Sequence, residues 1–317
     1  MAEAVCLGEL LIDMVSDADA SLGDAPRFLK APGGAPANVA VGLQRLGTSA
    51  SFIGSVGNDP FGEFLIETLK NENVDVSSIS KSNIARTTIA FVATRSDGKK
   101  DICFYRNPGA DMQLRADDLS TRIFDGARLF HCGSVSLSEN PCRDAQFHAA
   151  KMARERRLLV SFDPNWRPSL WRDFDEARDL IHAMFPLSDI VKIADEEWEF
   201  VTGTNDFATG AAQIRAMGPK LVVVTKGADG AYFNCENCEG EVAGFEVDAI
   251  DTLGAGDAFV AGLLNQLLQH RVLEDALNHA TLTQIVRFAN ACGAIATQTA
   301  GAIPSLPTKT EVEAFLN

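Results

Sequence analysis

The stretch that decides the fold is DTLGAGD, residues 251–257, which runs directly into an apolar segment. Apolar residues recur at helical spacing from Phe259 to Leu268, which predicts a helix with one buried face. Gly254, Ala255 and Gly256 carry little or no side chain, so another group can approach the backbone N–H groups where the helix begins. A helix N-terminus presents unpaired N–H groups and the positive end of its dipole, so the stretch predicts an anion-binding turn.

Asp257 places a carboxylate beside this turn, where it would repel a bound anion. It makes chemical sense as a base that takes a proton from a hydroxyl group that attacks the anion. An anion cradle with an adjacent base is what phosphoryl transfer requires. The alternative is that Asp251 only caps the helix and the glycines only form a tight turn.

Composition limits the class of protein. The chain has 317 residues, of which 46% are hydrophobic and 22% charged, as in soluble globular proteins. Its net charge of -15 argues against a nucleic-acid partner but does not exclude ATP, whose phosphates Mg²⁺ and N–H groups can neutralise. We expect no membrane span, because no sufficiently long apolar run occurs, and a cytoplasmic location, because the N-terminus lacks a basic region.

The seven cysteines are scattered along the chain, which predicts reduced thiols. Cys235 and Cys238 form a CxxC in a polar stretch. A structural zinc ion normally takes four ligands, and no second pair of comparable spacing is present. We therefore interpret this CxxC as part of a loop and not as a metal site.

Apolar strand-like runs alternate with helical patterns along the chain. Strands are predicted over residues 5–12, 50–56, 129–135, 158–162, 190–193 and 221–225, and helices over 35–46 and 60–71. This alternation predicts an α/β domain spanning residues 1–317, with a mainly parallel sheet covered on both faces. Ligands of such sheets bind beyond the carboxyl ends of the strands, where Asp163, Lys192 and Thr225 fall.

A hairpin interrupts the alternation. Residues 87–94 and 101–106 are β-prone and flank a turn containing Asp97-Gly98. Residues 15–30 could pair with them. We predict a small β lid, formed by segments at about 14–34 and 86–112, that keeps water from an activated phosphate. The alternative is a plain edge hairpin, and an open edge could also pair with a second subunit to form a homodimer.

A second glycine-rich stretch, GGAPAN, spans residues 33–38. Gly33 and Gly34 allow close approach to the backbone, and Asn38 can both donate and accept hydrogen bonds. Asp13, at the end of the first predicted strand, could accept hydrogen bonds from sugar hydroxyls. The alternative for Asp13 is a solvated turn residue.

The two stretches resemble the C-terminal and N-terminal signatures of the ribokinase (PfkB) family of sugar kinases, and the resemblance covers nearly the whole chain. It implies a three-layer α/β/α ribokinase-like sandwich with a small β lid. It also implies that Asp257 is the catalytic base and that Gly254, Ala255 and Gly256 stabilise the transferred phosphate. Sugar contacts would come from Asp13, Gly33, Gly34 and Asn38.

Residues 104–112, 133–143 and 162–171 resemble the fructokinases of this family. That likeness makes Arg106 and Arg167 candidate substrate contacts, because a guanidinium group suits several oxygens at once. A structural ion pair is an equally good interpretation for either arginine.

The resemblance also implies a nucleotide and metal site. Lys192 would face the ATP phosphates, and Glu197 would orient Mg²⁺ through water, although Ala194 replaces the asparagine usual in the family. The resemblance also implies a potassium ion at Asp251. The other implied contacts to the nucleotide are Thr225, Gly227, Gly254, Gly256 and Asn290.

The implied reaction is ATP-dependent phosphorylation of D-fructose to fructose 6-phosphate. One alternative is a 2-keto-3-deoxygluconate kinase, which shares the core and the element containing Asn165 and Arg167. Another is a family member that binds partners without catalysis. Such a protein would be free to lose Asp257, so its presence favours an enzyme.

Overall fold

The computed structural model describes residues 2–16, 20–94 and 100–317. The strands are β1 (Ala4–Leu7), β2 (Leu11–Ser16), β3 (Phe28–Gly33), β4 (Ala50–Gly57), β5 (Asp75–Ser82), β6 (Ile89–Thr94), β7 (Lys100–Tyr105), β8 (Leu129–Gly133), β9 (Leu159–Asp163), β10 (Ile190–Ala194), β11 (Leu221–Thr225), β12 (Ala231–Asn234) and β13 (Glu239–Val242). The helices are α1 (Ala35–Arg45), α2 (Pro60–Asn71), α3 (Cys142–Glu155), α4 (Phe174–Met184), α5 (Asp195–Thr202), α6 (Phe207–Ala216), α7 (Ala255–Leu267), α8 (His279–Ala296), α9 (Ala302–Ser305) and α10 (Lys309–Leu316).

The large sheet has the strand order β13-β12-β11-β10-β9-β8-β1-β4-β5. Strands β11 through β5 in this order pair in parallel, and β12 and β13 add an antiparallel edge. Hydrophobic cores lie on both faces: one contains Phe52 and Phe233, and the other contains Phe162 and Trp198. The predicted α/β/α sandwich with a mainly parallel sheet is confirmed.

A small second sheet has the order β3-β2-β6-β7. Strand β2 pairs antiparallel with β3 and parallel with β6, and β6 pairs antiparallel with β7. The predicted hairpin is therefore joined by the earlier segment, as expected from the sequence. The predicted hairpin turn at Asp97-Gly98 lies outside the described residues.

The chain leaves the large sheet earlier than its apolar pattern indicates. The prediction of one strand over residues 5–12 was wrong, because β1 ends at Leu7 and β2 begins at Leu11 in the other sheet. The Gly8 amide bonds to the Ile53 carbonyl of the large sheet, whereas the Ile12 amide bonds to the Thr88 carbonyl beside the small one. The first residues of β1 and of β2 are both buried, so hydrophobicity alone does not show where β1 ends and β2 begins.

The β12–β13 hairpin was not predicted. It brings Cys235 and Cys238 to a Cα–Cα distance of 5.3 Å, and the two form a disulfide. The expectation of reduced thiols was therefore wrong for this pair, since a tight hairpin places the two side chains together. No helix in the described part of the chain is long and apolar enough to cross a membrane.

Candidate active site

The turn before α7 is built as the sequence predicts. Gly254 has φ +82°, a left-handed conformation that favours glycine, and α7 begins at Ala255. A Cβ atom on Gly254 would lie 2.9 Å from the Cα of Ala302, so a larger residue would also clash with α9. Gly254 and Gly256 line a cavity at the N-terminus of α7, and a helix N-terminus with small residues suits an anion.

Asp257 occupies the first turn of α7 and is half-buried. Its Oδ2 accepts a hydrogen bond from Asn38 Nδ2 at 2.8 Å. Burial raises the pKa of Asp257 to about 6, an effect that the Asn38 bond opposes and Asp163 adds to. A carboxylate with a pKa of about 6 remains ionised at neutral pH and is a stronger base than an ordinary aspartate. Asn38 Oδ1 has no hydrogen-bond partner in the described residues, so it can accept a ligand hydroxyl.

The contact between α1 and α7 brings these two side chains together. A Cβ on Gly42 would lie 2.6 Å from the Cβ of Ala261. Glycine at this position therefore allows the helices to approach closely. The predicted sugar residue and the predicted base, 219 positions apart in sequence, meet because of this packing.

Lys192 lies in the middle of β10, and its ammonium group reaches the turn before α7. Its Nζ forms a buried ion pair with Asp163 Oδ2 at 3.2 Å. Burial alone would lower the Lys192 pKa, but Asp163 and Glu197 outweigh it and hold the pKa above its ordinary value. The ammonium group would be 3.6 Å from a Cβ on Gly256, so a fixed positive charge stands beside the helix N-terminus.

Glu197 lies in the first turn of α5, whose N-cap is Ala194. Burial first, and then the neighbouring Asp163, raise the pKa of Glu197 to about 7. Its Oε2 is buried without a hydrogen-bond partner in the described residues. Because no protein group donates to this oxygen, it could bind a cation or accept a hydrogen bond from water bound to a cation.

Asp13 lies on the small sheet, level with Ala90 and Phe104 in the strand register. The carboxylate packs directly on Gly33, where a Cβ would lie 2.0 Å from Asp13 Oδ2. Gly33 therefore makes room for Asp13, and Gly34, with φ +114°, carries the chain into α1. The sequence foresaw the glycines but not this packing reason for the first one.

The space between the two sheets is a cavity, which we call the central cavity. The small sheet contributes apolar side chains and Asp13, and the large domain contributes the α7 turn and the carboxyl ends of β9 and β10. Its lining residues are Glu9, Leu11, Asp13, Gly34, Ala35, Asn38, Ala90, Val92, Ile102, Phe104, Val135, Asp163, Asn165, Arg167, Lys192, Thr252, Leu253, Gly254, Gly256 and Asp257. Most of the predicted sugar and phosphate contacts thus meet in one place.

The two candidate arginines are placed differently. Arg167 lines the central cavity, next to Asn165. Arg106 is 5% exposed and donates to Asp111, Ser138 and the Val135 carbonyl instead. All these hydrogen bonds of the guanidinium group are to protein atoms. This arrangement matches the structural ion pair that the sequence left open as the alternative for Arg106.

Of the predicted nucleotide contacts, Lys192, Gly254 and Gly256 line the central cavity. The others, Thr225, Gly227 and Asn290, and the predicted potassium residue Asp251 are not among its lining residues. Thr225 ends β11, and Gly227, with φ +55°, follows it in a short helical turn. Asn290 Nδ2 donates to the carbonyls of Val242 and Ala243, and so holds the chain that follows β13.

Asp251 ties the α7 turn to the segment before α9. Its Oδ1 accepts from the Leu253 amide and its Oδ2 from the Gly301 amide, both at 2.9 Å. These bonds fix the loop that leads into Gly254. A potassium ion at Asp251 stays a prediction.

The sequence placed Asp163 at the ligand-binding edge without a role, and it did not assign Glu9 to the site. Asp163 carried a signal, because it follows a predicted strand at the ligand-binding edge, but its role as the partner of Lys192 depends on strand order. Glu9 carried none, because the break between β1 and β2 was not foreseen.

The fold and the cavity define a phosphotransferase that acts on an alcohol group of a small molecule. The family model described as "pfkB family carbohydrate kinase" matches residues 1–309, and the chain belongs to that family.

Named relatives agree with this assignment. The chain is 46% identical over 316 residues to "Probable fructokinase-2" of Arabidopsis thaliana, covering 98% of this chain and 95% of the relative. It is similar to a fructokinase structure from Xylella fastidiosa with bound ATP, with a TM-score of 0.91, 32% identity and coverage of 100% and 98% of the two chains. A fructokinase structure from Vibrio cholerae O395, with fructose, ADP and a calcium ion bound, gives a TM-score of 0.89 at 36% identity, covering 100% and 99%.

Proposed function

We propose that the protein transfers the γ-phosphoryl group of ATP to the C6 hydroxyl of D-fructose, giving fructose 6-phosphate. The observation that carries the proposal is Asp257, a half-buried carboxylate with a raised pKa, set in the first turn of α7 and held by Asn38. The fructokinase relatives supply the identity of the sugar and of the phosphate donor.

In the proposed reaction Asp257 accepts the proton of the sugar hydroxyl as its oxygen attacks the phosphorus atom. The Asn38 amide orients the carboxylate and leaves its own Oδ1 to accept from the sugar. The amides of Gly254, Ala255 and Gly256 stabilise the charge that develops on the transferred group, aided by the Lys192 ammonium.

The proposed metal is Mg²⁺, brought in with ATP. Glu197 fits this role, because its buried Oε2 lacks a protein partner in the described residues and can orient metal-bound water. A bound Mg²⁺ would neutralise charge on the phosphate oxygens. The described residues contain no group of three or more histidine, cysteine, aspartate or glutamate side chains placed to hold a metal by themselves.

The proposal also covers the nucleotide contacts, the potassium site and the lid. We propose that Thr225, Gly227 and Asn290 surround the nucleotide, that Asp251 contributes to a potassium site, and that the small sheet is the lid. The lid also presents an aromatic surface, in which Phe91 contacts Phe28 and Tyr105, and Tyr105 is 68% exposed. A homodimer through this surface and a cytoplasmic location stay predictions.

A 2-keto-3-deoxygluconate kinase is the second candidate, because Arg167 lines the central cavity and could pair with the carboxylate of that sugar acid. Asp13 opposes it, since a carboxylate near the sugar favours hydroxyls and repels an acid. Arg106 offers no help, being paired with Asp111.

The test is ADP release with ATP and Mg²⁺ at neutral pH, with fructose, 2-keto-3-deoxygluconate and ribose compared side by side. We expect the highest kcat/KM with fructose and phosphorylation on C6. Preferential turnover of the keto acid would overturn the fructose assignment but leave the kinase intact. Absence of turnover with every sugar would favour a binding protein instead.

A further inference from the structure

Glu9 is a carboxylate of the central cavity with no role in the reaction described above. It lies in the turn between β1 and β2, where the chain crosses from the large sheet to the small one. The residue is 4% exposed, and it lines the cavity with Asp13 and Asn38. It therefore belongs to the part of the cavity that we assign to the sugar.

The backbone and one carboxylate oxygen of Glu9 are fixed. Its Oε1 accepts a hydrogen bond from the Ala35 amide at 2.9 Å, at the beginning of α1. Gly34 packs so tightly against it that a Cβ on Gly34 would lie 2.3 Å from the Glu9 carbonyl oxygen. The side chain consequently has little freedom to seek another partner.

The second oxygen, Oε2, is buried and has no hydrogen-bond partner in the described residues. A buried polar atom without a partner is costly, and most such atoms in proteins bind a ligand or water. Burial also raises the pKa of Glu9 to about 7, and Asp111 adds to this effect, while the backbone amides of Glu9 itself and of Ala35, and the charge of Arg106, oppose it. One oxygen of the Glu9 carboxyl group is thus bound by the protein, and the other has no hydrogen-bond partner in the described residues.

Arg106, whose charge acts on Glu9, gives its hydrogen bonds to other groups. Its guanidinium donates to Asp111 Oδ2 at 2.7 Å, to Ser138 Oγ at 2.7 Å and to the Val135 carbonyl at 3.3 Å. Glu9 lines a cavity whose proposed ligand is rich in hydroxyl groups, and its Oε2 has no hydrogen-bond partner in the described residues.

We propose that Glu9 is a specificity-determining residue whose Oε2 hydrogen-bonds to one hydroxyl of the bound sugar, other than the hydroxyl that is phosphorylated. The inference rests on the proposed function, since it requires a sugar in the central cavity. With Asp13 it places two acidic side chains at the sugar, which favours a neutral polyhydroxyl substrate over a sugar acid.

The experiment is a double-substitution cycle between protein and substrate. Deoxy analogues of fructose, each lacking one hydroxyl other than that on C6, are assayed with wild-type enzyme and with Glu9→Ala. In wild type we expect loss of the partner hydroxyl to lower kcat/KM about 10- to 100-fold, as for a hydrogen bond to a charged group. In Glu9→Ala the same deoxygenation should cost almost nothing, while the other hydroxyls keep their effects.

The matched control is Asp59→Ala. Asp59 also accepts backbone amides at the start of a helix, those of Phe61 and Gly62, but does not line the central cavity. Its loss should act equally on every analogue. If Glu9→Ala also acts equally on every analogue, Glu9 only anchors Ala35 and the proposal is overturned.

A second variant covers failure of Glu9→Ala to fold. Glu9→Gln keeps an oxygen for the Ala35 amide, and we expect it to show weaker coupling at the same single hydroxyl. Equal effects on all analogues would again overturn the proposal. Wild-type enzyme that turns over no fructose would overturn the proposed function, and the Glu9 role with it, whereas turnover without coupling overturns the Glu9 role alone.

Discussion

The Asp257 carboxylate joins the two chemical halves of the site, because it touches Asn38 on the sugar side and lies in the turn proposed for phosphate. Asp257→Asn keeps the size of the side chain but removes its ability to accept a proton. General-base catalysis contributes about 10²–10⁴-fold, so kcat should fall by that factor while the fructose KM changes little. Steady-state kinetics measures both constants.

The control for this substitution is Asp248→Asn, which makes the same chemical change at an exposed position in the same region of the chain. It should leave kcat unchanged. Wild-type turnover in Asp257→Asn would show that another group accepts the proton.

The raised pKa of Asp257 predicts a pH dependence with a definite sign. The base works only when ionised, so kcat/KM should be constant at high pH and fall as pH decreases through about 6. An ordinary aspartate, with a pKa of 3.8, would place this fall about two pH units lower. A pH profile of kcat/KM with fructose, at saturating ATP and Mg²⁺, distinguishes the two values.

The raised pKa of Asp257 also predicts how protein stability depends on pH. Whereas activity should fall as pH decreases, the contribution of Asp257 to stability should fall as pH increases. Because folding raises the pKa of this acid, its contribution favours the folded state below the unfolded pKa and is lost as pH rises through the folded value. Asp257→Asn should therefore unfold at higher denaturant concentration than wild type at pH 8. The difference between the unfolding midpoints of variant and wild type should be larger at pH 8 than at pH 4. An equal difference at the two pH values would contradict the argument that burial raises the pKa of Asp257.

At the scale of elements, the packing of α1 on α7 sets the distance between Asn38 and Asp257. Gly42→Ala would place a methyl group 2.6 Å from the Cβ of Ala261, so the helices must separate. Overpacking of this kind costs about 1–3 kcal/mol of unfolding free energy. We expect lower stability by denaturant titration together with a lower kcat, because the base loses its partner.

The double variant Gly42→Ala with Ala261→Gly tests whether contact is the cause. Moving the methyl group to the other helix should restore much of kcat. If the double variant is as impaired as Gly42→Ala, the effect does not come from the helix contact.

Elements with strong local signals could be predicted from the sequence. Helix α2 has the predicted bounds, because Asp59 caps its first amides and Pro60 opens it. The β1–β2 break could not be predicted, since the beginnings of both strands are buried and the change of sheet depends on residues far along the chain. The hairpin at Cys235 and Cys238 was missed because its polar turn has the composition of a loop.

At the scale of the whole molecule, the sequence predicts which residues carry chemistry better than it predicts their partners. Asp257 and Asn38 stand in distinctive glycine-rich stretches, so their roles could be proposed in advance. The Arg106–Asp111 pair and the Lys192–Asp163 pair depend on which elements become neighbours. Local patterns contain no information on that, which is why Asp163 went unassigned and Arg106 was proposed as a substrate contact.

The position of the central cavity between the sheets predicts how the molecule responds to its substrates. Ala90, Val92, Ile102 and Phe104 of the small sheet line it, so bound sugar should stabilise β6 and β7. If opening of these strands requires release of the sugar, fructose at 100 times its Kd should slow amide exchange there by about 100-fold. Hydrogen exchange with mass spectrometry, with fructose and a non-hydrolysable ATP analogue, measures the effect.

The internal reference is the β12–β13 hairpin, which lies at the far edge of the large sheet and contributes nothing to the lining of the central cavity. Its exchange should stay unchanged. Asp13→Ala at the same fructose concentration should lose most of the protection in β6 and β7, because the sugar is then bound weakly while the strands remain paired. Protection spread evenly over both sheets would mean that ligands stabilise the whole fold and that the small sheet does not act as a lid.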